Sequence, residues 1–391
     1  MKKLKSHKVF LVSTVEPIPI IDGDIEAWRT HNIALDLRDC KKEVYFFISS
    51  FNHYTKEFRD KKLISAYESK YSIRLKYIPS ISYKKNISIR RICNYFIQTL
   101  YLLFYFIIFS KKKDSLLLTV PAIEHLISIM TFRGRASIDY RDLWPDIFIG
   151  EYGLIKTQLV KLYFNFCNYC LASGFRKSEF VITISDGFKE HLINKFKLAS
   201  KKIIVLTQTR QSKLSTIELH SNKVISKLNA TYIYAGKISE RTQVIKFIRS
   251  LILLDNFQGK ILICGSGEEN DIKLLLELIA KYDCVEYLGY LSRLELKKIY
   301  MQSDYGLLPY PNNIDFEKAL PNKFFEYLSV NLPIAHGGLN SIEINENIQF
   351  SKLAFNIFKE EPKEPTITPL ELLSLFNKQH LSSKQKIIEI I

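Results

Sequence analysis

Pro321-Asn322-Lys323-Phe324-Phe325-Glu326-Tyr327-Leu328, followed by Asn331-Leu332-Pro333-Ile334, is the stretch whose reading decides the fold. Proline suits the first turn of a helix, because its missing N–H would go unpaired there in any case. Phe324, Phe325, Leu328 and Leu332 recur at helical spacing and form one apolar face. Asn322, Lys323 and Glu326 fall on the other side. A helix start beside a lysine attracts anions, since free N–H groups and the helix dipole point outward there. One turn on, Glu326 is placed to accept hydrogen bonds from hydroxyls. A phosphate and a diol held one turn apart describe a sugar nucleotide. The competing account of the same residues is a surface helix with a solvated charged face.

Upstream runs bear on that choice. They are Tyr234-Ala235-Gly236-Lys237-Ile238-Ser239-Glu240-Arg241, Ile261-Leu262-Ile263-Cys264-Gly265-Ser266-Gly267, Val285-Glu286-Tyr287-Leu288-Gly289-Tyr290-Leu291 and Ser303-Asp304-Tyr305-Gly306-Leu307-Leu308-Pro309. With the helix at Pro321, this ordered set over residues 231–340 resembles the donor-binding half of family-4 glycosyltransferases, which have the two-domain GT-B fold. Ser137-Ile138-Asp139-Tyr140-Arg141-Asp142-Leu143-Trp144-Pro145 resembles the Asp-Leu-Trp-Pro segment of the bacterial members that build surface polysaccharides such as capsule or O-antigen.

The resemblance implies an α/β chain of two doubly wound, Rossmann-like parallel-sheet domains facing across a cleft. It implies sugar transfer from a nucleotide-diphosphate donor to a saccharide or lipid-linked acceptor, with retention of configuration. No cofactor and no metal are expected. Lys237, Arg241, Lys323 and the helix start at Asn322 would stabilise the leaving diphosphate. Gly236, Gly265, Ser266, Tyr290, Leu291, Phe324 and Glu326 would complete the donor site, with Glu326 on the ribose. The family commonly carries a further glutamate eight residues before the Glu326 position. Lys318 stands there, and Glu317, one residue farther, reaches the site only if its loop bulges. The expected acceptor-side residues are Asp139, Arg141 and Asp142 of the Asp-Leu-Trp-Pro region, and Gly23 in the turn after the first strand; the competing account of Arg141 and Asp142 is an Arg–Asp pair that fixes a tight loop around a packed Trp144. Two other readings stay open: a nucleotide-sugar epimerase of the same fold, and a non-catalytic protein that keeps the nucleotide pocket.

A chain of 391 residues has room for two cores. The expected units are residues 1–210, facing acceptor and membrane, and 228–380, holding the nucleotide sugar; residues 381–391 form a helix that crosses back to the first. Apolar runs beginning near Val9, Glu43, Leu75, Ser115, Ala136, Phe180 and Ile203, then near Tyr232, Ile261, Val285, Tyr305, Pro333 and Phe355, read as buried parallel strands. Six scattered cysteines without a signal peptide point to a reducing cytoplasm. Cys167 and Cys170 are spaced like half of a zinc site, but with no second pair they read as buried helix residues.

The net charge of +16 is one-sided. Residues 1–200 hold 32 Lys and Arg against 19 Asp and Glu; the remainder holds 24 against 21. That asymmetry points the first half at an anionic surface. No nucleic-acid module is recognisable, so the expected partner is the inner face of the plasma membrane. Within residues 90–109, Arg90, Asn94, Gln98, Tyr101 and Tyr105 form one narrow polar stripe, and apolar side chains, Phe104 and Phe106 among them, fill the rest. Basic clusters flank the segment at Lys84-Lys85, Arg90-Arg91 and Lys111-Lys112-Lys113. Either it lies at a membrane interface or it packs on the sheet. Asp22-Gly23-Asp24 raises a similar alternative: a metal-binding Asp-x-Asp, or a glycine turn with Asp24 capping a helix.

Overall fold

The computed structural model describes residues 7–23, 25, 27–85, 88–146, 158–207, 226–310, 321–337, 354–359 and 369–391. The chain divides into two compact units, Met1–Leu206 with Ser382–Ile391, and Thr207–Leu381.

The first unit carries a seven-stranded sheet: β1 (Lys8–Val12), β2 (Glu43–Ser49), β3 (Arg74–Ile78), β4 (Ser115–Val120), β5 (Arg135–Tyr140), β6 (Val181–Thr183) and β7 (Ile203–Val205). They lie in the order β3-β2-β1-β4-β5-β6-β7, and every pairing is parallel. Val9, Leu11, Leu116, Leu117 and Leu118 are buried on successive positions, with no alternation to solvent. That is the pattern of strands covered on both faces. The covering helices are α1 (Arg29–Asp39), α2 (Leu63–Tyr71), α3 (Ile89–Phe109), α4 (Gln158–Lys177) and α5 (Asp186–Phe196), with a 3-10 helix at Ile123–Met130. Cys167 and Cys170 are buried thiols of α4.

The second unit holds six strands: β8 (Thr231–Ala235), β9 (Lys260–Cys264), β10 (Val285–Tyr287), β11 (Tyr305–Leu308), β12 (Ile334–His336) and β13 (Ala354–Asn356). Their order is β10-β9-β8-β11-β12-β13, again all parallel. Both sheets reverse direction of growth once, beside β1 and beside β8. The carboxyl ends of the strands there form the crevice in which open α/β sheets bind ligands. The helices are α6 (Val244–Ile252), α7 (Glu269–Lys281), α8 (Arg293–Met301), α9 (Asn322–Leu328) and α10 (Pro369–Ile390). Leu372, Leu373 and Phe376 of α10 pack in the second unit's core, and Ile387 and Ile391 in the first unit's.

The opening stretch folds as its periodicity indicates. Phe324, Phe325 and Leu328 of α9, and Leu332 after it, are all buried. Pro321 sits one position earlier than expected, as the N-cap with extended ψ. Asn331, at φ 61°, takes the left-handed conformation that ends the helix, and the Leu332 N–H reaches back to the Tyr327 carbonyl at 3.0 Å.

Candidate functional site

A cavity of about 450 Å³ opens at the carboxyl ends of β8, β9 and β10. Its floor is backbone. The Gly236 N–H donates to the Cys264 carbonyl at 2.9 Å, and the Gly265 N–H to the Gly289 carbonyl at 2.8 Å, so three strand-end turns are stacked on one another. Gly265 has φ +140°, and a Cβ there would lie 1.8 Å from the Gly236 oxygen. Only glycine permits this approach. The buried Tyr234 hydroxyl donates to the Lys237 carbonyl at 2.7 Å, and Thr242 bonds the same carbonyl at 3.2 Å. These two side chains fix the turn from which Lys237 projects. On the far wall Tyr290 is 85 % exposed. The loop that carries it leads straight into the Ser292–Glu295 capping box of α8.

Two cations and one carboxylate line the cavity: Lys237, Lys323 and Glu268. Lys323 lies at the start of α9, where N–H groups lack helical partners. Its Nζ is 2.6 Å from Glu326 Oε2, and the Tyr300 hydroxyl donates to the same oxygen at 3.2 Å. Glu326 therefore stands one hydrogen bond back from the lining. Tyr327, behind it, donates to the Ile233 and Leu307 carbonyls of β8 and β11 at 3.2 Å each, which fastens the helix to the sheet. Gly306 leaves the space for that ring, since a Cβ there would come within 2.5 Å of it.

Of the donor residues expected from sequence, Gly236, Lys237, Gly265, Ser266, Tyr290, Leu291 and Lys323 come together around the cavity. Phe324 does not. It is fully buried against Phe325 and Phe376, because its position on the apolar face of α9 turns it into the core. Asn322 and Arg241 are exposed, outside the lining. Glu317 and Lys318 lie outside the described residues. Sequence reading passed over Glu268, Gly267, Cys264 and Leu296, all in the lining. The first three follow from the Gly-Ser-Gly turn after β9, which had to bring its neighbours with it. Burial pushes the Cys264 thiol up to about 11.

On the first unit two of the four expected acceptor-side residues, Asp139 and Arg141, are engaged in an ion-pair network. Both oxygens of the fully buried Asp139 are engaged. Arg29 donates to Oδ1 at 3.0 Å; Arg141 donates to Oδ2 through Nε at 2.7 Å and Nη2 at 2.5 Å. Arg141 also pairs with Glu16 and donates to the Thr30 hydroxyl at 2.7 Å. Burial pulls the Arg29 guanidinium down to about 10 against the attraction of Asp139. For Arg141 burial acts the same way, but Asp139 and Glu16 outweigh it and raise its pKa. The Arg29–Asp139 pair thus ties α1 to β5, and Arg141 braces the same carboxylate from the loop after the strand. Asp142 is half-buried beside it, and Gly23, at φ +102°, is exposed with open space where a Cβ would be. Asp22 resembles Asp139: Arg59 bonds both its oxygens, at 2.9 and 2.7 Å, joined by Asn52 and the Ile18 N–H. That arrangement is a turn, but the helix after it starts at Arg29 with Trp28 as N-cap, so the expected cap by Asp24 is not the one that opens it; Asp24 itself lies outside the described residues. Among the described residues no group of three His, Cys, Asp or Glu side chains is placed to hold a metal ion.

No family model matches the chain, and no curated protein resembles it in sequence. Solved structures do resemble it in fold. Sucrose-phosphate synthase from Thermosynechococcus elongatus superposes with a TM-score of 0.57 at 10 % identity, over 98 % of this chain and 94 % of that one. The lipopolysaccharide outer core galactosyltransferase WaaB gives 0.55 at 14 %, over 98 % and 91 %. Anabaena HepE in complex with UDP gives 0.53 at 12 %, over 98 % and 94 %. The chain has the GT-B glycosyltransferase fold. At such identities the likeness speaks for architecture, and the chemistry rests on the residues of the cavity.

Proposed function

We propose that this protein is a glycosyltransferase that moves a sugar from a nucleotide-diphosphate donor to a saccharide or lipid-linked saccharide in the assembly of a cell-surface polysaccharide. The observation that carries the reading is the cavity. A glycine-built floor lets a ligand approach backbone, and Lys237 and Lys323 supply positive charge at the strand ends where a GT-B fold has its crevice. A diphosphate meets those requirements, and Glu326, adjacent to Lys323, is the acceptor for a ribose diol. UDP in the HepE structure shows a nucleotide held by a chain of similar fold.

The chemistry proposed is leaving-group stabilisation. As the bond from sugar C1 to the phosphate oxygen breaks, charge grows on the diphosphate. Lys237 and Lys323, the two cations of the cavity lining, oppose it where it develops. The acceptor hydroxyl oxygen then bonds to C1 on the face the diphosphate leaves and gives up its proton to the departing phosphate oxygen, so configuration is retained without a covalent enzyme intermediate. No metal is assigned a part.

The test is calorimetry with UDP, ADP and GDP, followed by assays of the corresponding sugar nucleotides with and without saccharide acceptors. Binding of one nucleotide and acceptor-stimulated release of nucleoside diphosphate support the proposal. Interconversion of donor sugars without release indicates an epimerase. Binding without turnover indicates a carrier. Absence of any nucleotide binding by folded protein overturns the site.

A further inference from the structure

Helix α3 turns Asn94 and Gln98 inward together with Leu102 and Phe106, and leaves a second, apolar face turned away from the protein. Gln98 is fully buried, donating through Nε2 to Ser49 Oγ at 3.1 Å and Ser80 Oγ at 2.8 Å, with His125 3.2 Å from its other end. Asn94 is buried as well and accepts from the Ile81 N–H at 2.8 Å. The opposite side carries Phe96, Leu100, Phe104, Ile107 and Ile108, and Phe104 and Ile108 are 64 % and 66 % exposed. Phe106, by contrast, is fully buried. It packs against Phe10 and Phe132 and is core, not the lipid-facing residue its sequence neighbourhood suggests.

The apolar face does not stop at α3. The Phe96 ring lies 5.6 Å from that of Phe166 on α4, and exposed Leu162 and Tyr169 flank Phe166 at helical spacing. Contiguous apolar surface of this extent marks an interaction site. Its charges say with what. From Ile92 to Ser110 there is no charged residue, while exposed Lys84, Lys85 and Arg90 stand at one end of α3 and Lys111, Lys112 and Lys113 at the other. Nucleic acid needs cations across the middle of its site, where this face has none. A second copy would set like charges against like. An apolar centre between two cationic ends fits acyl chains beneath anionic headgroups.

We infer that the outer face of α3, extended by Phe166, Leu162 and Tyr169 of α4, docks this protein on an anionic lipid surface with α3 lying in the plane of the membrane. The helix has 21 residues and is apolar enough by length and composition alone to allow a span. The Gln98 and Asn94 bonds exclude that arrangement in the folded unit, since a spanning helix would surrender them to lipid. The inference concerns the first unit and is independent of the donor site.

The experiment is co-sedimentation of the full chain with vesicles of phosphatidylcholine and phosphatidylglycerol at 3:1, and of phosphatidylcholine alone, at low and high salt. Binding to the anionic vesicles, weakened several-fold by salt, is expected. Phe104→Ser with Ile108→Ser should keep the thermal midpoint and bind at least tenfold more weakly. Lys111→Glu with Lys112→Glu, at exposed positions, should do the same if the first pair fails to fold. Release of bound protein by alkaline carbonate supports the in-plane arrangement, and retention overturns it. Failure of folded wild type to bind anionic vesicles at low salt overturns the inference. So does a dimer in sedimentation that the Phe104/Ile108 variant dissolves while vesicle binding is unchanged.

Discussion

Lys323 Nζ and Glu326 Oε2 stand 2.6 Å apart on one face of α9, so the residue proposed for the diphosphate and the residue proposed for the ribose neutralise each other before any ligand arrives. Both are only one-fifth exposed or less, at 20 % and 16 %. A nucleotide entering the cavity must therefore compete with Glu326 for the ammonium. This predicts opposite responses to two probes. Glu326→Ala should weaken a nucleoside diphosphate by roughly 10- to 100-fold, the worth of charged hydrogen bonds of about 1.5–3 kcal/mol. The same change should strengthen inorganic pyrophosphate, because Lys323 is released. Calorimetry with both ligands checks it. A variant that binds the two more weakly alike would show that Glu326 serves only to orient Lys323.

The glycine floor yields a second expectation. Gly265→Ala adds one carbon where 1.8 Å separates it from a backbone oxygen, at a φ of +140°. The Gly265–Gly289 and Gly236–Cys264 bonds cannot both survive the shift required. Nucleotide affinity should fall below detection, with the thermal transition lowered but present. Gly23→Ala is the contrast. Its Cβ meets nothing, so only the strain of φ +102° opposes it, a destabilisation on the order of 1 kcal/mol. Wild-type nucleotide affinity in Gly265→Ala would remove the floor from the argument.

Asp139 gives a third. With Arg29 on one oxygen and Arg141 on the other, its replacement leaves two buried guanidinium groups short of a partner. Breaking such a pair costs roughly 3–5 kcal/mol. Asp139→Asn should thus lower the thermal midpoint sharply, and any loss of transfer should follow loss of folded protein. Unchanged stability with a raised Michaelis constant for acceptor would restore Asp139 to the acceptor site.

What the sequence disclosed and what it hid divide along one physical line. Strands such as Ser115–Val120 and the apolar face of α9 were legible because periodicity and unbroken burial are local signals. The glycine turns after β8 and β9 were legible because backbone chemistry at a strand end has few solutions. Partners distant along the chain were not. Around Arg141 an acceptor role and a structural Arg–Asp pair were both open, and the partners that decide the structural role, Arg29 on Asp139 and Glu16 on Arg141, lie more than a hundred residues away. The stripe of Asn94 and Gln98 was read correctly as a stripe, but its direction depended on Ser49, Ser80 and His125, which nothing local announces. Phe104 and Phe106 were indistinguishable in sequence; two positions on a helix separate solvent from core.

The last expectation concerns acid. His31 is fully buried against Phe46, Tyr67 and Tyr71, with ring centroids at 6.3, 5.6 and 4.8 Å, and neither ring nitrogen has a hydrogen-bond partner. Burial, assisted by the charge of Arg38, lowers its pKa to about 4. Unfolded, it titrates near 6.5. The unfolded chain therefore binds the proton first as pH falls, so the contribution is intact above about 6.5 and is lost on the way down to about 4. A difference of this size corresponds to on the order of 3 kcal/mol. His125 and His336 are lowered by burial in the same direction, so wild type should lose stability steeply across that window. His31→Phe replaces an imidazole that makes no hydrogen bond with a ring suited to an aromatic cage. Its thermal midpoint at pH 7 should stay within a few degrees of wild type, and its decline between pH 6.5 and 4 should be visibly shallower. Parallel midpoint-versus-pH curves for the two proteins would show that His31 does not titrate on unfolding, and the acid sensitivity would then belong to the other buried histidines.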